Sequence, residues 1–186
     1  MRKKLPRKFY IRPTLNVARD LLGKYIIRKF DDKELVAKII ETEAYIGPQD
    51  KASHAYKGKI THRNQIEYEI GGHIYIYLVY GMYWQLNITT NVAGKPECVL
   101  IRALEPIKGD SQATNGPGKL CRWLCVDKSF YGEDLTQSAK IWLEDRGRTI
   151  KPSQIAATAR IGIDYAGPYW SRRKWRFVLN EIRSTA

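Results

Sequence analysis

The chain has 186 residues, 44% hydrophobic and 27% charged, which excludes a disordered or fibrous protein and suits one domain with a core of its own. No run approaches the ~20 apolar residues of a membrane span, and the start, Met1-Arg2-Lys3-Lys4, leads into no apolar signal core, so an intracellular protein without a membrane partner is expected. Thirty-two Lys and Arg against nineteen Asp and Glu give a net charge of +13. The excess is uneven: residues 1–30 carry ten bases and one acid, residues 146–186 nine and two, and residues 31–145 thirteen and sixteen. Two basic ends around a slightly acidic centre point to a polyanion partner, most simply nucleic acid; the alternative is a merely soluble surface. Cys98, Cys121 and Cys125 are an odd count without CxxC spacing, so buried free thiols are expected rather than disulfides or zinc.

In chain order, Thr14 reads as the cap of a helix over Leu15–Leu22 that Gly23 ends. Residues 24–30 and 34–43 read as strands of a hairpin across Asp31-Asp32-Lys33. Gly71-Gly72 opens a strand over His73–Tyr80, and Gly81 breaks it before a second strand over Tyr83–Thr90. Residues 98–104 are a further strand. Residues 109–118 are a loop, and Lys119–Val126 a helix opened by Gly-Pro-Gly. Ser153–Arg160 reads as a helix and Arg176–Leu179 as a last strand. Hairpins with scattered helices predict an α+β fold, a single mixed domain over 1–186 with a mainly antiparallel sheet.

Several groups could carry chemistry. In β alternation Glu41, Glu43 and Tyr45 share the face of Leu35, Ala37 and Ile39. If that face is inward, two carboxylates lie about 7 Å apart at the core edge, where burial and like charge raise their pKa values toward general acid or base work. If the strand ends there, both are solvated. His54 lies on a loop, and neither His62 nor His73 shares a ligand spacing with it, so no metal is expected. Tyr75 and Tyr77 alternate with Ile74, Ile76 and Leu78, which makes one face phenolic and one apolar. The following Tyr80-Gly81-Met82 turn can present Tyr80 and Met82 at a tip able to wedge into a base stack; the competing reading is an aromatic core face. Arg102, in an apolar strand, needs a partner if inward, and the glutamates are candidates. Asn87 could read a base edge or bond only to backbone. At Gly116-Pro117-Gly118-Lys119 the free amides and Lys119 could hold a phosphate, or the segment is an ordinary turn into a helix.

Four segments, ETEAYIGPQDKASHA at 41–55, IYIYLVYGMYWQLNI at 74–88, CVLIRALEP at 98–106 and GPGKLC at 116–121, together resemble the alkyladenine (3-methyladenine, methylpurine) DNA glycosylases. The likeness runs from about Ala18 to Phe177. It implies a curved antiparallel sheet with a protruding β-hairpin, and a monofunctional hydrolase that flips damaged purines out of double-stranded DNA and leaves an abasic site. It implies that Glu43 is the catalytic base and that Arg102 helps hold the attacking water. Tyr45, His54 and Tyr77 would wall the base pocket, and Asn87 would disfavour guanine there. Tyr80 would fill the vacated stack. A monomer without a cofactor is expected. The 109–118 loop is short where longer members carry an insertion, and the tail from Asn180 does not align clearly, so no role is carried beyond Phe177. Two further readings remain: a non-catalytic nucleic-acid-binding module, and a polysaccharide glycosidase using Glu41 and Glu43.

Overall fold

The structure, a computed structural model, describes residues 3–30 and 32–180; Asp31 of the expected hairpin turn and the tail from Glu181 lie outside the described residues. In chain order come β1 (Lys3–Lys4), α1 (Arg7–Tyr10), α2 (Thr14–Asp20), β2 (Tyr25–Phe30), β3 (Lys33–Ile46), β4 (Ile74–Val79), β5 (Tyr83–Thr89), β6 (Glu97–Pro106), α3 (Pro117–Trp123), β7 (Ile141–Asp145), β8 (Ile155–Thr158), α4 (Pro168–Ser171) and β9 (Arg176–Leu179). The strands form one open sheet in the order β1-β7-β2-β3-β6-β5-β4, with β9 joining β3 and β8 joining β9. Every pairing is antiparallel, so the α+β expectation holds.

One core gathers the apolar face of this sheet. It joins Ala18, Leu21 and Leu22 near α2, Ile74 and Ile76 of β4, Leu86 and Ile88 of β5, Val99 and Ile101 of β6, Leu120 of α3 and Phe177 of β9. Each large side chain buried there contributes about 1.5–3 kcal/mol. Thr14 lies inside α2 rather than capping it, and its hydroxyl instead meets the Thr90 hydroxyl at 2.6 Å and Glu97. The helix expected over Ser153–Arg160 is a single 3-10 turn followed by β8. Ala156 and Ala157 favour a helix, but β9 offers an edge that takes Ile155–Thr158 in register with Leu179–Arg176. Cys98 and Cys121 are buried free thiols as expected; Cys125 is exposed, at φ 52° just past α3.

β3 organises the functional side of the sheet. Its first half pairs with β2 as far as Lys38, and from Glu41 onward β9 replaces β2 on that edge, while β6 runs along the other. At the exchange the register against β6 shifts twice, between Ile39 and Thr42. A bulge of this kind inverts the alternation of side chains. Ala37 and Ile39 face the core before it, and Ala44 does so after it, with the Thr42 hydroxyl bonded to the Ala18 carbonyl. Glu43 and Tyr45 therefore lie on the face opposite Ala37 and Ile39, not on the same face as simple alternation predicts.

Gly71 lies where the entry to β4 crosses the Thr90 backbone. A Cβ there would sit 2.9 Å from both the Thr90 Cα and its carbonyl carbon. Gly71→Ala is expected to lower stability by about 1–3 kcal/mol through overpacking, read from the midpoint of chemical denaturation; an unchanged midpoint would show that the crossing relaxes freely.

Candidate active site

Glu43 is fully buried, yet three donors reach its carboxylate. The Tyr45 hydroxyl donates to Oε2 at 2.9 Å, the Ile161 amide donates to Oε1 at 2.8 Å, and Arg102 Nη1 lies 3.5 Å from Oε1. Burial raises the Glu43 pKa, and Arg102, the Ile161 amide and Tyr45 only partly oppose it. Arg102 is part-buried and paired, on the face of β6 opposite the core residues Val99 and Ile101. Its Nε donates to Glu41 Oε1 at 3.0 Å, and Arg176 Nε donates to the same oxygen at 2.6 Å. The two glutamates thus share one arginine and differ in surroundings. Glu41 is an ion-pair hub, whereas Glu43 adjoins an aromatic cavity.

That cavity, about 870 Å³, is lined by Tyr45, His54, Tyr77, Arg102 and Ile161 among others, and reaches Tyr80 and Lys119. Glu43 touches three of its wall residues and lies immediately behind them. The wall comes from distant stretches: Tyr45 from the end of β3, His54 from the following loop, Tyr77 from the phenolic face of β4. His54 packs edge-on against Tyr77 with ring centroids 4.6 Å apart, and its Nδ1 lies 2.5 Å from the Tyr75 hydroxyl. His54 is exposed and lines the cavity. Burial, aided by Arg63, lowers its pKa to about 4, so the imidazole is neutral at pH 7. Burial also raises Tyr45 and Tyr77, which keeps both phenols neutral. The result is a slot of uncharged π-faces beside one buried carboxylate, suited to a flat aromatic ring and most of all to a cationic one.

Asn87 does not line this cavity. Its Nδ2 donates to the Tyr75 and Gln85 carbonyls at 3.2 and 3.1 Å, and it borders a smaller cavity that shares Tyr45, His54 and Tyr77 with the large one. The β4–β5 hairpin ends at Tyr80 and Gly81, both at positive φ, with the Met82 amide closing the turn onto the Val79 carbonyl. Tyr80 is 86% exposed and Met82 63%, so neither is a core side chain. Lys119 lies on α3 with its Nζ 3.5 Å from the Gln112 carbonyl. Gly118 lets the start of α3 press onto Tyr83, whose ring would stand 2.8 Å from any Cβ there. Among the described residues no group of three His, Cys, Asp or Glu is placed to hold a metal ion, and no helix is long and apolar enough to cross a membrane.

The sequence model of the methylpurine-DNA glycosylases matches residues 8–183. The chain belongs to that family. It is 46% identical to a putative 3-methyladenine DNA glycosylase of Methanocella arvoryzae, over 93% of this chain and 90% of the relative. It is 38% identical to one of Natranaerobius thermophilus, over 96% of each chain. It is 39% identical to the DNA-3-methyladenine glycosylase of Mus musculus, covering 95% of this chain and 59% of the mouse protein.

In this methylpurine-DNA glycosylase family chain three site elements had no sequence signal. One is the Ile161 amide, a backbone group 118 residues from its carboxylate. Another is Arg160, which is fully buried with Asp50: its Nη2 donates to Oδ1 at 2.9 Å, Nη1 to Oδ2 and to the Ala44 carbonyl, and its guanidinium stacks 4.7 Å from the Tyr45 ring centroid. The third is Tyr165, a cavity residue whose hydroxyl donates to the Ala52 carbonyl at 3.3 Å. Arg160 thereby fixes both the Tyr45 ring and the segment that presents the Ile161 amide. Asp50→Ala strands its charge, and a loss of about 3–5 kcal/mol in unfolding free energy is expected. Calorimetry showing a loss below about 1 kcal/mol would mean the pair is not the brace described.

Proposed function

We propose that the chain, acting as one domain on DNA inside the cell, takes a damaged purine out of the duplex into the aromatic cavity and hydrolyses its N-glycosidic bond without a covalent intermediate. The observation that carries this reading is the buried Glu43 carboxylate, held by three donors at the edge of a slot of neutral aromatic rings. Glu43 accepts a proton from a water that attacks the sugar C1′. The C1′–N bond breaks, its electron pair leaves with the purine, and an abasic site remains. Arg102 holds the water and keeps the carboxylate oriented. The same carboxylate stabilises the oxocarbenium-like transition state.

Tyr45 packs one face of the base, and His54 and Tyr77 the other. A positive charge on an alkylated purine both strengthens this stacking and makes the base a better leaving group. Tyr80, with Met82 beside it, enters the stack from the exposed hairpin tip, and Lys119 and the basic ends meet phosphates. A glycosidase using Glu41 and Glu43 as an acid–base pair fits less well, because two guanidiniums engage Glu41.

Glu43→Gln preserves shape and removes the base. Single-turnover excision of ethenoadenine or hypoxanthine is expected to fall by at least about 10²-fold while the lesion duplex is still bound; near-normal turnover would remove Glu43 from this role. Because Glu43 must be ionised to act and burial raises its pKa, activity should fall on acidification at a pH above the ordinary carboxylate range. An acid limb in the pH profile at the unshifted carboxylate position would contradict that.

Tyr80→Ser should slow excision of a paired lesion and weaken binding, with a smaller penalty when the lesion sits opposite a gap or mismatch, which is easier to unstack. Tyr77→Ser should be impaired on both substrates alike. Equal penalties for Tyr80→Ser on both would show that Tyr80 is no wedge.

A further inference from the structure

Behind the aromatic wall lies a second carboxyl that the proposed reaction does not use. Glu67 sits on a single 3-10 turn, Gln65–Tyr68, where side chains three apart stack on one side. Asn64 and Glu67 share that side and are buried, while Gln65 and Glu69 are exposed. Glu67 is 1% exposed, and among the described residues its Oε2 has no hydrogen-bond partner.

Glu67 lines a cavity of about 10 Å³ together with Asn87, Cys98, Tyr45, His54 and Tyr77, and the last three also form the wall of the large cavity. The space is polar and suits about one water molecule. The carboxyl is therefore one side-chain layer from the slot that receives the base. Burial raises its pKa to about 8, against a smaller opposing pull from Cys98 and Asn64. The groups around it are Tyr75 and Tyr77 of β4, Cys98 of β6, Tyr131, and Tyr68 on its own turn; burial raises all five and keeps them neutral. His54 is neutral, and Arg63, a cation in the lining of the large cavity, acts on His54 and Tyr75.

We infer that Glu67 is a lesion-selecting residue: protonated, it adds no charge of its own to the base slot, and ionised, it favours positively charged alkylpurines over neutral damaged purines. The inference rests on the glycosylase reading above. One unit charge at roughly 8–10 Å, in a medium of effective dielectric about 20, changes relative affinity for a cation by about twentyfold.

The test compares single-turnover excision of 3-methyladenine, a cationic lesion, with that of ethenoadenine, a neutral one, from otherwise identical duplexes at pH values spanning the titration. In the wild type the ratio should shift toward the cationic lesion by about twentyfold as Glu67 ionises. In Glu67→Gln and in Glu67→Leu, two variants of similar volume that cannot ionise, that shift should be absent. Dividing the wild-type ratio by the variant ratio cancels the lesions' own titration and that of Glu43. A wild-type ratio that follows pH no more steeply than both variants overturns the inference, whereas a wild type that excises neither lesion at any pH overturns the glycosylase reading instead.

Thermal unfolding gives an independent measurement. A carboxyl with pKa raised from 4.5 to about 8 in the fold contributes stability below pH 4.5 that is lost as pH rises to about 8. The wild type should lose stability across that window relative to Glu67→Gln. Parallel Tm curves would show that the folded protein does not hold the proton, and would overturn the inference.

Discussion

A carboxylate removed from water must be given hydrogen bonds and opposite charge, and the burial of Glu43 is the constraint around which this molecule is arranged. Each of its three donors comes from a different part of the chain. Tyr45 follows two residues later on β3, Arg102 comes from the neighbouring β6, and the Ile161 amide comes from the connection after β8. The donors do not fully offset desolvation, so the Glu43 pKa stays raised. A proton acceptor held this way is more basic than a solvated glutamate. The same shift costs stability at neutral pH, because the unfolded glutamate ionises more readily.

The surrounding charges balance in a compact way. Glu41, Glu43 and Asp50 face Arg102, Arg160 and Arg176, each carboxylate paired with at least one guanidinium. The β3 bulge makes this possible. By exchanging β2 for β9 as an edge partner just where the alternation inverts, it turns Glu43 and Tyr45 away from the apolar core. The core loses nothing, since Thr42 and Ala44 take the inward positions.

Apart from these pairs, the slot is lined by the cations Arg63 and Lys119 and by aromatic rings, among them Tyr45, His54 and Tyr77. Burial holds the Tyr45 and Tyr77 phenols protonated and the His54 imidazole unprotonated, so the field in the slot comes chiefly from Glu43, Arg102, Arg63 and Lys119. The tip of the β4–β5 hairpin stands apart from these pairs. Tyr80 and Met82 are exposed, and nothing in the ion-pair cluster constrains them.

The sequence by itself determined most strands and the chemistry-bearing side chains. The β2–β3 and β4–β5 hairpins carry their own alternation and turn residues, and local pattern is enough for such short-range pairings. The family's motifs marked Glu43, Arg102, Tyr45, His54 and Tyr77, and these do meet around one cavity. Tertiary structure decided the rest. Strict alternation put Glu43 on the wrong face because a bulge is fixed by which strands flank β3, not by β3's own residues. The alanines of 155–158 form a strand because β9, about twenty residues later, offers an edge. The Ile161 amide, the Arg160–Asp50 pair and the burial of Glu67 in a polar-looking turn were not legible. Hydrogen bonds to backbone, ion pairs across 110 residues and desolvation all depend on what surrounds a group in space, and no local spacing records that.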